Sequence, residues 1–424
     1  MTTAMGAALR RIQLGNALSA FGNGFTVPYL YVYVAQVRGL GAGTAGVVLS
    51  AFAVAALAVL PFTGRTIDRR GPLPVLLTGS VTASVGAMGF GLATTAPLAV
   101  AASAVMGAGI AVMQPALATL IVWCSTPSTR SRAFATQFFL ANLGLGIGGL
   151  IGGLIVDTSR PGSFTLLFTI EGVMFLVLSG VVASVRLPKV AQIGAAPTEK
   201  AANGWRLLFS DRAMVQLCVL GGVMFFACYG QFESGLAAFA TEVTRISTST
   251  LGIALAANTA VIVIAQFLIL RTVERRRRSR VIAAVGLLWA VAWVAAGLSG
   301  LVHGSQAVAT ALLISTYAIF GLGEAMLSPT VAPLVADLAP ARLVGQYNSA
   351  FALVKQLALA VGPVVGGLMA GAGFYGSYIV MLVAISLGIS WLAVRMGRSL
   401  GPAQDQPLRA SRIVAHGAPE RVAA

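Results

Sequence analysis

Long apolar runs, punctuated by short clusters of glycine, proline and charge, fill the chain from residue 12 to residue 396. Runs near or above about 18 apolar residues match the hydrocarbon thickness of a bilayer. Their spacing predicts twelve transmembrane helices: 12–35, 43–62, 74–93, 97–122, 133–156, 164–186, 213–240, 248–270, 281–301, 305–336, 345–370 and 375–396. Helices satisfy every backbone polar group internally, so no irregular backbone is expected to face lipid. The first run is too long to be a removable signal and lacks a small-residue cleavage site, so it reads as the first span. Outside the runs lie a short arm ending in Arg10 and Arg11, a polar stretch with Pro188, Pro197 and Gly204, and a polar tail after Arg398. The tail is expected to be disordered.

Charge changes this picture only through its position. Of 424 residues 57% are hydrophobic and 9% charged, against about 25% charged in soluble domains. A net charge of +16 suggests nucleic acid, but the basic residues sit in the gaps between runs and on no amphipathic face, so no nucleic-acid partner is expected. Twenty-four of the 28 Lys and Arg residues fall on the side that holds the N-terminus. Arg38, Arg160 and Arg245 fall on the other side, and Lys355 lies inside a span. The positive-inside rule then makes both termini cytoplasmic, in a multi-pass protein of the plasma membrane. Cys124, Cys218 and Cys228 show neither zinc-ligand nor disulfide spacing.

The pattern also repeats. At a shift of 206, Thr44, Gly46 and Leu49 fall on Thr250, Gly252 and Leu255; Arg65, Thr66, Asp68, Arg69 and Arg70 fall on Arg271, Thr272, Glu274, Arg275 and Arg276. At a shift of 214, Gly107, Gly109, Ala111 and Pro115 fall on Gly321, Gly323, Ala325 and Pro329. Gly148, Gly152 and Gly153 fall on Gly362, Gly366 and Gly367 at the same shift. Two like-facing six-helix bundles follow, over 1–186 and 213–397, with a cytoplasmic linker at 187–212 and a cytoplasmic tail at 398–424. Parallel repeats with a substrate path between them are a transporter architecture. Within the linker, Trp205 to Phe209 is expected on the membrane surface.

With these features the chain resembles the major facilitator superfamily of secondary transporters over nearly its whole length. Gly64, Asp68, Arg69 and Gly71 are similar to that family's signature between its second and third helices, with Pro72 where a basic residue is usual. "GIGGLIGG", from Gly146 to Gly153, resembles the fifth-helix motif of proton-driven exporters, with Gly149 where proline is usual. Its repeat partner from Gly362 to Gly367 keeps the proline, at Pro363. Ser103 stands where the fourth-helix signature carries an intramembrane arginine, so a proton relay through that arginine is not available. The resemblance implies a drug/proton antiporter working by alternating access.

Physical reasoning adds roles to these residues. Helix termini carry about half a unit charge, so Asp68 can dock on the N-terminus of a neighbouring helix while Arg69 and Arg70 stay among anionic headgroups. One reading makes Gly64, Asp68, Arg69, Arg70 and Gly71 a latch between the bundles, with Glu274 and Arg275 its eroded second copy; the other leaves the arginines to fix topology. Small residues let helices approach closely in lipid, so Gly148, Gly152 and Gly153 are expected to pack across the bundle interface near Gly362, Pro363, Gly366 and Gly367. These glycines serve either as packing seats or as a hinge.

Ionisable residues inside spans mark function by default. Glu233, Glu324 and Lys355 stand where the first half has Val27, Ile110 and Ala141. Glu324 and Lys355 lie at similar depth on consecutive helices, and a pair between them is expected. It is either a static buried ion pair or a titratable one in which Glu324 takes up a proton. Glu233 can meet a cationic group or carry the coupling proton. Glu171 is expected to reach the interface. Asn23, Gln114, Gln231, Asn258, Gln266 and Tyr229 are further cavity candidates, and Phe225, Phe226, Phe232, Tyr29 and Tyr31 suit amphipathic compounds.

The expected function is proton-coupled export of small hydrophobic or cationic compounds by a monomer in a lipid bilayer. Transport of a polar metabolite is the alternative, and a membrane sensor or enzyme the remote one. Two histidines, His303 and His416, make no metal-ligand cluster, no nucleophile has an adjacent base, and no phosphate-binding loop ends in Lys-Ser or Lys-Thr. Neither metal nor cofactor is expected.

Overall fold

The computed structural model describes residues 3–185, 204–232, 234–302 and 304–409. Glu233, His303, His416, most of the linker and the tail from 410 on lie outside these residues.

Twelve main helices follow one another: α1 (Thr3–Thr26), α2 (Gly41–Arg70), α3 (Pro72–Leu92), α4 (Ala96–Trp123), α5 (Pro127–Ile155), α6 (Pro161–Ala183), α7 (Arg212–Ala227), α8 (Thr248–Val273), α9 (Arg278–Leu301), α10 (Gln306–Leu327), α11 (Val344–Gly371) and α12 (Tyr375–Met396). Among the described residues, eleven helical stretches are long and apolar enough to cross a membrane. The remaining helix, α1, packs between α5 and α6.

Several helices begin before their apolar runs, because the first turn is polar and is marked instead by a capping signal. Pro72, Pro127 and Pro161 each open a helix, where a missing N–H costs nothing. Thr126 and Thr129 form a capping box at the start of α5. Gly71 takes φ +83°, and this left-handed turn separates α2 from α3 within a single residue. Three runs break within the expected spans. The chain beyond α1 passes through 3-10 and π turns at Val27–Tyr29 and Tyr33–Val37. Beyond α7 it breaks at Cys228, and beyond α10 it resumes as Val331–Leu338 after Pro329.

The helices from α1 to α6 pack mainly on one another, as do those from α7 to α12. Four apolar clusters result: the largest, built on Trp289, Trp293, Phe320 and Tyr378, lies wholly among residues after 204, and the others are rooted in the first six helices. Contacts between the two groups run chiefly through α2 with α11 and α5 with α8.

The glycine motifs pack differently from expectation. A Cβ on Gly148 would lie 2.1 Å from the Phe21 carbonyl oxygen, and one on Gly152 would lie 3.2 Å from Phe25 Cα, so these seats belong to α1. A Cβ on Gly362 would meet Gly230 Cα at 2.6 Å, and one on Gly366 would meet the Gly235 nitrogen at 2.8 Å. Each motif therefore closes its own bundle. Gly153 faces the Tyr29 hydroxyl, and a Cβ on Gly367 would meet nothing within 4 Å. The reason is azimuthal: α5 and α11 turn their glycine faces to α1 and the α7 region, each within its own bundle.

Gly24 completes the α1–α5 seat. A Cβ there would sit 2.3 Å from the Leu145 carbonyl oxygen and 2.7 Å from the Gly149 nitrogen, both backbone atoms. Gly24→Ala is expected to cost about 1–3 kcal/mol through overpacking, read as earlier thermal unfolding of the purified protein; unchanged unfolding would refute this packing.

The tail also departs from expectation. Residues 402–409 are ordered, with a short helix at Pro402–Asp405. Asp405 is fully buried. Its carboxylate accepts from the Ser279 backbone N–H at 2.8 Å and the Ser279 hydroxyl at 3.0 Å, and pairs with Arg277 at 3.0 Å. It thus caps α9 from outside that helix, satisfying an N–H that no intrahelical carbonyl can reach. A polar composition hides such a contact, since the segment's own residues carry no apolar run.

Candidate functional site

The arginine-rich end of the molecule is closed by polar ties between the two groups of helices. Asp68, in the last turn of α2, receives the Gly345 N–H on Oδ1 at 2.7 Å and the Gln346 N–H on Oδ2 at 3.1 Å. The Gln346 side-chain amide donates to the same Oδ2 at 3.1 Å. The carboxylate therefore sits on the first turn of α11, where free N–H groups and the helix dipole both favour negative charge. Gly64 allows the approach, because a Cβ there would lie 2.6 Å from Gln346 Cα. One turn deeper, the Ser349 hydroxyl donates to the Leu60 carbonyl at 2.9 Å. Arg69 and Arg70 remain exposed.

The second copy is looser. Glu274 Oε1 meets Arg132 of α5 at 3.3 Å, and the Arg132 side chain is 66% exposed. Beside it lies a buried ion cluster that sequence reasoning missed. Arg130 of α5 and Arg278 of α9 both pair with Asp337, the Arg278 contact being 2.7 Å. The same Arg278 nitrogen donates to the Gln404 carbonyl at 2.9 Å. These residues lie at the edges of apolar runs, where their charge reads as topology. No local signal distinguishes a paired arginine there from a solvated one.

Above these ties lies a cavity of about 460 Å³, walled by α1, α2, α4 and α5 on one side and by α9, α10, α11 and the α7 region on the other. Its lining is mostly apolar and aromatic, including Phe52, Phe134, Phe138, Phe225, Trp289 and Phe351. Glu324, Lys355 and Gln114 face it, joined by Asn16, Gln137, Asn348 and Gln356, which the sequence did not single out.

Glu324 and Lys355 share this cavity, but no ion pair within 4 Å joins them among the described residues. Glu324 Oε1 instead accepts from the Asn258 amide at 2.9 Å, and the carboxylate is buried. The Lys355 ammonium lies 5.4 Å from the Phe225 ring centre and 6.0 Å from that of Tyr229, within the range of cation–π attraction. The two residues face one chamber from consecutive long helices, α10 and α11, without direct contact.

The remaining candidates separate into two groups. Asn258 stands behind Glu324 and also donates to the Tyr317 carbonyl at 3.2 Å. Gln231 is a structural tie, donating to Phe226 O at 3.0 Å and accepting from the Tyr378 hydroxyl at 3.0 Å. Gln266 joins α8 to α10 through the Ala325 carbonyl at 3.3 Å. Asn23 is away from the cavity, and its Oδ1 is buried without a partner. Glu171, expected near the interface, is fully buried. Ser103 bonds the Val48 carbonyl at 2.8 Å and so ties α4 to α2. Among the described residues no group of His, Cys, Asp or Glu is placed to hold a metal ion.

This arrangement is an apolar chamber between two bundles, with one carboxylate and one ammonium in its walls and a closed floor. It can hold a small molecule, and it contains no nucleophile with a base beside it. Residues 12–247 and 235–415 match the family model of the Major Facilitator Superfamily. Multidrug resistance protein 1 of Bacillus subtilis (strain 168) is 23% identical over 393 residues, covering 90% of this chain and 96% of that protein. The uncharacterized MFS-type transporter YhjO of the same organism is 24% identical over 324 residues, 76% of each chain. The solved structure of the E. coli fucose:proton symporter shares the fold with a TM-score of 0.74 at 14% identity, covering 93% of this chain and 99% of that one. The chain belongs to the Major Facilitator Superfamily, and is a multi-pass membrane transporter of the secondary type rather than an enzyme.

Proposed function

We propose that this transporter exports small hydrophobic or cationic compounds in exchange for protons, by alternating access of the central cavity. The carrying observation is a buried carboxylate, Glu324, in the wall of a mostly apolar and aromatic chamber. A carboxyl group there is costly when ionised, so proton occupancy and substrate occupancy are coupled. An apolar chamber with few polar groups selects by shape and hydrophobicity, as a multidrug site would. The similarity to a protein named for multidrug resistance supports the same reading.

In this reading the chain spans a plasma membrane twelve times as a monomer, in two bundles of residues 1–186 and 213–397. The arginine-rich end is cytoplasmic, as the positive-inside rule requires. Asp68, Gly64 and the Gly345 turn form the latch that holds this end shut, and Arg69, Arg70 and Gly71 set its edge. Glu274 and Arg275 are the weaker second copy. The test is substrate flux in proteoliposomes under an imposed pH gradient, using lipophilic cations such as ethidium as probes. Gradient-driven uptake into inverted vesicles supports the proposal; flux that ignores the gradient ends it. Glu233 enters the same assay as Glu233→Gln, expected to weaken coupling if that carboxylate faces the chamber.

A second reading has one observation in its favour. Lys355 is open to the cavity, with the Phe225 and Tyr229 rings beside its ammonium and no carboxylate within 4 Å among the described ion pairs. A polar metabolite carrying an anionic group would complement it, and Lys355→Gln would then abolish binding of that compound while sparing cations.

A further inference from the structure

The two copies of the duplicated clamp differ in one respect that creates a second site. At the α2–α11 contact, Gly64 and Gly345 let the helices touch, and a Cβ on either would collide with the other helix. Their counterparts under the repeat are Leu270 on α8 and Ser131 on α5. Leu270 is buried in the contact, and a gap remains beside it. The gap is a groove of about 510 Å³ lined by Arg132, Thr136, Phe267, Leu268, Leu270 and Arg271.

Chemistry along this groove is graded. Arg132, five residues into α5, and Arg271, two residues from the end of α8, stand at the arginine-rich mouth, one from each bundle. Arg132 is only partly occupied by Glu274, at 3.3 Å on an exposed side chain. Arg271 is exposed and has no ion pair among those described. About one turn deeper, Phe267 and Leu268 are 46% and 74% exposed, and they line the lipid-facing wall. Phe267 also meets Phe139 of α5 edge-on, with ring centres 4.8 Å apart. Two guanidiniums above an apolar trough match an anionic head above an acyl chain, and basic pockets between membrane helices bind such lipids.

We propose that the α5–α8 groove is a binding site for one anionic phospholipid, whose phosphate bridges Arg132 and Arg271 and whose chain lies along Phe267 and Leu268. Bound there, the lipid joins the two bundles where the second clamp lacks the glycine contact of the first. It favours the closed state of the arginine-rich end, in which both arginines line one groove.

The test uses the full-length protein purified in detergent and mixed with phosphatidylglycerol or phosphatidylcholine, with bound lipid counted by native mass spectrometry. Wild type is expected to hold one phosphatidylglycerol more tightly than any phosphatidylcholine. The pair Arg132→Gln with Arg271→Gln is expected to weaken that binding roughly tenfold or more. The pair Arg132→Lys with Arg271→Lys keeps most of it, which separates lost charge from lost folding. Arg160→Gln, at the opposite end, leaves it unchanged. Equal binding of both lipids, equal binding by the glutamine pair, or full displacement by millimolar inorganic phosphate would overturn the proposal. None of these readouts depends on which compound is transported.

Discussion

Glu324→Gln is expected to reduce proton-driven substrate flux through reconstituted protein by roughly 5- to 150-fold, the range of a coupling free energy of about 1–3 kcal/mol. The substitution is almost isosteric. Glutamine keeps an oxygen to accept from Asn258, which reaches the native carboxylate at 2.9 Å, so the chamber wall and its packing persist. What disappears is the proton. The variant is therefore expected to keep binding the substrate, and to exchange it passively, while losing its response to an imposed pH gradient. A variant that still concentrates substrate against its gradient when protons are supplied would remove Glu324 from the coupling mechanism. Loss of binding together with flux would instead make it a substrate ligand.

Asp68→Asn has the second large effect. The carboxylate gathers three N–H groups, at 2.7, 3.1 and 3.1 Å, from the first turn of α11. Hydrogen bonds to a charged group contribute about 1.5–3 kcal/mol each, and asparagine keeps one weaker acceptor while turning an amide donor toward other donors. A net loss of about 2–3 kcal/mol moves a two-state equilibrium roughly 30- to 150-fold. The arginine-rich end should open: spin labels at Arg70 and Arg342, on the two sides of the contact, are expected to show a longer distance in the variant. An unchanged distribution would leave the charged loop with topology as its remaining role.

Apolar run length located the helices because bilayer thickness leaves little freedom, and the arginine clusters marked one end for a similar reason. Asp68 was legible as a helix-docking carboxylate, since a negative charge just past an apolar run suits the N-terminus of a neighbouring helix. The Glu324 environment was only half legible. Sequence gives depth at 1.5 Å per residue, but rotation about the axis depends on how neighbours pack, and it made Asn258 the hydrogen-bond partner of the carboxylate. The same rotation sent Gly148 and Gly362 inward to their own bundles. Arg130, Asp337 and Arg278 lay hidden because paired and solvated arginines look alike at the edge of a span.

Asp405 has a practical consequence for anyone shortening or tagging this protein. The last stretch before residue 409 is a plug set over the first turn of α9, and its carboxylate is out of reach of water. A truncation that stops at the end of α12 would leave Arg277 and the Ser279 backbone N–H without their anion. Trimming should begin after 409, and a purification handle should be separated from that plug by a flexible spacer.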